Sequence, residues 1–285
     1  MTNIAVITPS YALDFELCRD LNTSVLEHTP SSTIHHIITP RRDLALFSSL
    51  RGPRTIISPV NQFLPRQFLT LPRNLWLNVR RPFPPIRGWI MQQLVKMQAA
   101  AQIDAEMLLL ADSDVLFIRP VTATTFWPGR EMAFYRKREA IDQNLDRHCT
   151  WHKVARSLLG LPPSSPPFSD YISPFNVWNR NLILAMQDRI QQVTGKPWME
   201  AAAAQLHISE FILYGVFVDE VLGKAANVTP TSSMLCHSYW GHEPLTLDTA
   251  RRFIDTAQSQ DVAIMISAKS HTPLGVRRAA LSAIS

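Results

Sequence analysis

The sequence predicts an α/β fold, with a mixed, mostly parallel central sheet flanked by helices. Short apolar runs at Ile4 to Thr8, Thr33 to Thr39 and Thr55 to Ser58 are interleaved with a stretch in which Leu17, Leu21 and Val25 recur at helical spacing. That alternation is the signature of a parallel sheet covered by helices. Met107 to Ala111 is apolar at every position, as a central strand buried on both faces requires. The chain of 285 residues is 46% hydrophobic, ample for one sizeable core.

Along the chain, Pro9 and Pro40 stop the first two strands, and Asp14 is placed to cap the first helix. Gly88 to Gln102 reads as a helix with Ile90, Leu94, Met97 and Ala101 on its packed side; Gln92, Gln93 and Lys96 leave that stripe at other angles. Val115 to Ile118 resumes the sheet before Arg119-Pro120. Residues 136–170 read as an irregular surface loop, because Pro162, Pro163, Pro166 and Pro167 suit neither helix nor sheet interior. Tyr171 to Trp178 reads as a strand, Asn181 to Val193 as a helix ended by Gly195, and Ser209 as the cap of a helix carrying Glu210, Phe211, Tyr214, Val218 and Val221. Met234 to Trp240 and Val262 to Ile266 read as strands around a helix begun by Thr246. The pattern favours one unit over residues 1–285 with a tail at 271–285, not two free domains.

Charge is unevenly placed. Residues 41–98 hold ten basic side chains and one acid, Asp43, for +9, against −4 elsewhere and +5 overall. Such a segment concentrates anions: phosphates, acidic substrates or an anionic membrane surface. Its arginines are scattered between prolines without a recognition helix or an RNP-like aromatic pattern, so no nucleic-acid partner is expected. No apolar run is long enough to span a bilayer. Cys18, Cys149 and Cys236 are far apart and form no CxxC pair, so neither a disulfide framework nor a thiolate metal site is expected. The opening MTNIAVITPSY reads as a first strand and not a leader, and the expected compartment is the cytoplasm.

The most informative segment is Asp112-Ser113-Asp114, directly after the apolar strand. In open α/β sheets ligands bind at the carboxyl ends of the strands. In extended geometry, residues i and i+2 share a face, and two adjacent carboxylates repel unless a cation relieves them. Magnesium and manganese suit such oxygen ligands and bridge them to phosphates. Turn residues ending a strand would have the same composition.

The stretch LLLADSDVLFIRP, preceded by RGWIMQQLVKMQAA, resembles bacterial glycosyltransferases of the GT-A type. Within them it is similar to a group of nucleotide-diphospho-sugar transferases sharing an R-G-W-x-x-Q-Q-x-x-K helix before a DSD strand. VITPSY, PRRDLALF, SPFNVWNR, SEFILYG and HSYWG agree with it, over residues 3 to about 245. The resemblance implies a single GT-A-like domain, with residues 1–120 as the nucleotide-sugar-binding half and 121–270, including the proline-rich loop 161–170, as the acceptor side. It implies transfer of a sugar from a nucleotide-diphosphate donor, UDP-linked by preference, to a hydroxyl of a polysaccharide, glycolipid or related acceptor.

By the same resemblance Asp112 and Asp114 hold Mn2+ or Mg2+ against the donor diphosphate, Asp114 more directly, and His237 completes the metal site, with His242 as a rival. Thr8, Pro9, Ser10, Tyr11 and Asp43 face base and ribose, while Arg87, Gln93, Lys96 and Ser113 face the diphosphate. A salt bridge of Asp43 to Arg41 or Arg42, and simple solvent exposure of Lys96, are the plainer readings. Glu210 matches the acid of the SEFILYG segment and is the candidate base or acceptor-orienting residue, catalytic together with Asp112; inverting and retaining outcomes both stay open. Asn176, Tyr214, Tyr239 and Trp240 are candidate sugar or acceptor contacts, whereas Trp89 and Trp178 read as core.

The enzyme is expected to touch anionic lipid peripherally on the inner face of the membrane. A phosphohydrolase of the haloacid-dehalogenase type, in which the first aspartate of DxD attacks phosphorus, and a non-catalytic nucleotide or carbohydrate binder are the alternatives.

Overall fold

A computed structural model describes residues 3–127, 129 and 131–282; Met1, Thr2 and the last three residues of the tail at 271–285 lie outside the described residues. The chain opens with β1 (Ile4–Pro9), α1 (Phe15–His28), β2 (Ile34–Thr39), α2 (Leu44–Phe47) and β3 (Thr55–Pro59). An antiparallel meander follows, β4 (Phe68–Leu71), β5 (Leu75–Asn78) and β6 (Arg81–Arg87), then α3 (Gly88–Gln102), β7 (Met107–Ala111) and β8 (Val115–Phe117). Next come α4 (Ala123–Phe126), β9 (Met132–Tyr135), β10 (Lys137–Ile141), α5 (Asp146–Leu159), β11 (Phe168–Asp170), β12 (Phe175–Asn179), α6 (Arg180–Thr194), α7 (Trp198–Ala203) and α8 (Glu210–Val216). The last elements are β13 (Val228–Thr231), β14 (Cys236–Tyr239), α9 (Leu247–Asp255), β15 (Ala263–Ile266) and α10 (Leu274–Leu281).

The central sheet has the order β12-β7-β1-β2-β3. Its β7·β1, β1·β2 and β2·β3 pairs are parallel, and only β12 runs antiparallel, with Phe175 opposite Ala111. β7 is buried at all five positions, which is why its sequence is apolar without alternation. One face packs on α3, α6 and the helices beyond, through Ile7, Leu94, Leu108, Leu110 and Trp178. The other carries Val6, Leu21, Val25, Leu109 and Phe117 under α1 and a smaller sheet of order β14-β15-β8.

Local chemistry explains the boundaries. Asn179 accepts from the backbone N–H groups of Asn181 and Leu182 at the start of α6, and Gly195 ends it at φ +66°. Ser209 caps α8 through the Ile212 N–H, and Thr246 forms a capping box with Thr249. Asp14, expected as a cap, makes no side-chain capping bond. The largest departure lies in residues 136–170, which are not an irregular loop. They hold β10, the fourteen-residue α5 and β11, with Cys149, Trp151, His152, Ala155, Leu158 and Leu159 buried along one side. The buried side of α5 includes His152 and Arg156, so its stripe does not read as apolar. His152 is buried by stacking on Phe168 at 4.4 Å, and Arg156 by an ion pair with Glu220 and a bond to the Pro162 carbonyl.

Candidate active site

The carboxyl ends of β7, β1 and β2 and the amino end of β12 meet at one edge. Ser10 at the end of β1 accepts a bond from the Ser113 hydroxyl at 2.9 Å, tying the DSD segment to the first strand. The Asp112 N–H bonds the Pro174 carbonyl before β12. The Val115 N–H closes a turn on the Asp112 carbonyl at 3.1 Å. Because of this turn the two carboxylates do not share a strand face: Asp112 turns to α3 and Asp114 to the loop before α10.

Asp112 accepts from Lys96 Nζ at 2.8 Å, and the same ammonium lies 3.2 Å from Glu210 Oε1. The Lys96 and Glu210 side chains are each only 6% exposed, while Asp112 is 41% exposed. Burial alone would lower the Lys96 pKa, but the Asp112 and Glu210 carboxylates raise it, so the ammonium stays charged. Glu210 is pushed up by burial, an effect Lys96 opposes and the Asp112 charge reinforces. Gln93 accepts the Glu210 N–H at 2.9 Å and donates to the Trp89 carbonyl. Gln93 therefore fixes the start of α8 to α3.

Asp114 Oδ2 accepts the Ala268 N–H at 2.7 Å. Burial first, then the Asp112 charge, push its pKa up to about 6, although the Ala268 amide and Arg277 oppose this. Arg277 is buried and donates to the carbonyls of Ile266, Ser267 and Thr272. Asp14 joins the group: burial and the Asp112 charge raise its pKa, and Arg277 lowers it. Four acids (Asp14, Asp112, Asp114, Glu210) thus face two buried cations (Lys96, Arg277), leaving excess negative charge at the ligand-binding edge.

That excess gives a consequence for pH. The folded-state pKa of Asp114, about 6, lies above the ordinary 3.8. Its contribution to stability is therefore complete below 3.8 and lost as pH rises through about 6. Asp114→Asn, which keeps an acceptor for Ala268 without the charge, is expected to stabilise the metal-free protein at pH 8 by up to about 3 kcal/mol. The gain vanishes near pH 4. Urea unfolding at the two pH values reads it, and an unchanged or lower midpoint at pH 8 would contradict it.

Other candidates are placed as follows. The Asp43 carboxylate accepts the Ala12 N–H at 3.1 Å and lies 3.7 Å from Arg42, so it braces the loop after β1. Thr8 is interior, bonded to the His35 ring at 2.9 Å; Pro9 is buried, and Tyr11 is exposed. Along the same edge a cleft of about 540 Å³ is lined by Pro40, Arg41, Arg42, Arg66 and Trp76. Arg87 donates to the Leu206 carbonyl and lines a separate cleft with Arg81 and Glu200.

His237 is not brought to the acids. Its Nε2 lies 2.8 Å from the Phe253 carbonyl and 3.0 Å from the Thr256 hydroxyl, and its ring stacks on Phe253. No group of three His, Cys, Asp or Glu side chains able to hold a metal occurs among the described residues. The available donors are two carboxylates, the set magnesium and manganese accept when substrate phosphates supply further oxygens. Tyr214 is a core residue, stacked on Trp178 at 4.8 Å with its hydroxyl accepting the Asn179 N–H. Asn176 is buried and donates to the Tyr171 carbonyl. The Tyr239 hydroxyl donates to the Glu243 carbonyl, and Trp240 is exposed beside His237 in another cleft. Among the described residues, no helix is long and apolar enough to cross a membrane.

Two members of the site escaped the sequence analysis. Arg277 stood among small residues of the tail, and Asp14 was read as a helix cap. Only tertiary folding brings them to the DSD turn.

Comparison with known structures returns low likeness over nearly the whole chain. An active-site mutant of LgtC aligns at 13% identity and TM-score 0.47, covering 98% of this chain and 94% of that one. The galactosyltransferase LgtC in complex with donor and acceptor sugar analogues aligns at 12% and 0.45, with the same coverage. Likeness at this level carries no activity across. No protein of curated function matches in sequence. The family of unknown function DUF6492 matches residues 3–279, and the chain belongs to that family.

Proposed function

We propose that this chain is a metal-dependent glycosyltransferase, moving a sugar from a nucleotide-diphosphate donor, by preference UDP-linked, to a hydroxyl of a glycan or glycolipid. The supporting observation is the excess of carboxylates over cations at the carboxyl edge of β7 and β1, with Asp112 open to solvent. Asp112 and Asp114 would hold Mn2+ or Mg2+, which when bound supplies Lewis-acid stabilisation of the departing diphosphate. Lys96 holds the Asp112 carboxylate in position, and Glu210 holds Lys96 from behind. Buried under Lys96, Glu210 is a positioning residue in this arrangement and not a base facing the cleft. Arg41 and Arg42 line the neighbouring cleft with positive charge suited to a nucleotide's phosphates. Ser10 and Ser113, bonded to each other, tie the DSD turn to the end of β1.

The Lys96–Asp112 pair also suits a second reading, a phosphohydrolase whose aspartate attacks phosphorus, since Lys96 fixes that carboxylate in place at 2.8 Å. One assay separates the two: the protein is incubated with UDP-sugars, a panel of sugar acceptors and manganese. Acceptor-dependent release of UDP, abolished by EDTA, is expected. Release of inorganic phosphate from simple phosphate esters without any sugar transfer would support the hydrolase instead.

A further inference from the structure

The meander β4–β6 has one face on the core and one that nothing in the fold covers. Phe68, Trp76 and Ile86 point inward and are buried against α3. The strands pair Leu69 with Leu77, Leu71 with Leu75 and Leu75 with Arg87, so by strand alternation these side chains occupy the opposite face. Leu69 is 48% exposed, and Leu71, Leu75 and Leu77 are half-buried; among the described residues none belongs to a buried core cluster. At the ends of the strands Val79 is 51% exposed and Phe83, set between prolines at Arg81-Pro82-Phe83-Pro84-Pro85, is 81% exposed.

Arginines lie at the ends of these strands. Arg66, Arg73, Arg80, Arg81 and Arg87 lie on the meander or just before it, and no Asp or Glu occurs between residues 44 and 103. Arg80 pairs with Glu200, and Arg81 and Arg87 donate to the Ala204 and Leu206 carbonyls, but Arg66 and Arg73 have no ion pair among the described residues. Exposed leucines beside Arg66 and Arg73 make an apolar and basic patch of the kind that marks an interaction surface. A second copy of the chain is a poor occupant, because a two-fold contact would set the basic side chains of one copy against those of the other. A bilayer surface with anionic headgroups matches both features: phosphates for the arginines and acyl chains for the leucines and Phe83.

We propose that the outer face of the β4–β6 meander docks on anionic membrane, with Phe83 entering the headgroup boundary. The proposal does not rest on sugar transfer, and its test uses no nucleotide. The full-length protein is sedimented with phosphatidylcholine vesicles, either pure or one-third phosphatidylglycerol. Binding to the mixed vesicles only, weakening as salt rises, is expected. Arg66→Gln with Arg73→Gln should lower the partition coefficient about thirty-fold, at roughly 1 kcal/mol per arginine. Phe83→Ser should lower it about tenfold. All three positions are exposed, and an unchanged circular dichroism spectrum checks each fold. Equal binding to neutral vesicles, or variants that bind like the wild type, would overturn the proposal. So would retention on heparin without vesicle binding, which would point to a polyanionic macromolecule instead.

Discussion

Asp112→Asn is expected to lower sugar transfer by about a thousandfold while leaving the fold intact. The aspartate is the more solvent-open of the two acids on Lys96, so its carboxylate faces the open edge more than the core. Asparagine preserves shape and an acceptor for Lys96 but removes one of the two charges of the proposed metal site. Stabilising the departing diphosphate is worth several kcal/mol in enzymes of this kind, hence the size of the loss. Lys96 keeps Glu210 as its partner in the variant, so the thermal midpoint should move by only a few degrees. Initial rates with UDP-sugar and manganese, measured beside a melting curve, check both halves. A variant with wild-type turnover would remove Asp112 from the reaction.

Lys96→Met has the largest expected effect on stability. Lys96 is the cation within bonding distance of Glu210, and both side chains are buried. Removing one partner of such a pair costs about 3–5 kcal/mol, because the other is left charged without compensation. Glu210 already has a raised pKa from burial, and without the lysine it must rise further. An acid with a raised folded-state pKa contributes its full stability below the unfolded value and loses it as pH rises through the folded one. The deficit of the variant should therefore be greatest at about pH 8 and shrink towards about pH 4. Adding Glu210→Gln to Lys96→Met should recover part of the loss at pH 8. Urea titrations at both pH values read these differences; a deficit independent of pH would mean that lost packing, not lost charge, is responsible.

Much of the architecture was legible because its driving force is local. β7 is apolar at each position since helices cover one face and α1 with the smaller sheet the other, and that fact is written in five consecutive residues. Ser209, Thr246 and Gly195 marked helix ends through bonds and backbone angles made within a few residues of themselves. α5 was not legible, because the residues burying its side include a histidine and an arginine whose partners, Phe168, Pro162 and Glu220, are remote in sequence. The antiparallel meander also went unread, since its outer face is leucine and its inner face aromatic, with little polar alternation to reveal strands.

The candidate site divides in the same way. Asp112 and Asp114 stood out because acids directly after a buried strand are costly without a purpose. Lys96, read as facing a diphosphate or open solvent, is buried against the Asp112 and Glu210 carboxylates. Spacing offered no means of telling that a turn splays the two acids, that His237 is taken up by Phe253 and Thr256, or that Arg277 reaches Asp114's side of the sheet.

Calorimetric titration of UDP into the wild type and Asp114→Ala, each with and without manganese, tests the central claim most directly. Strong binding only for the wild type with manganese is the expected result. The same affinity in all four titrations would contradict a metal held by Asp112 and Asp114.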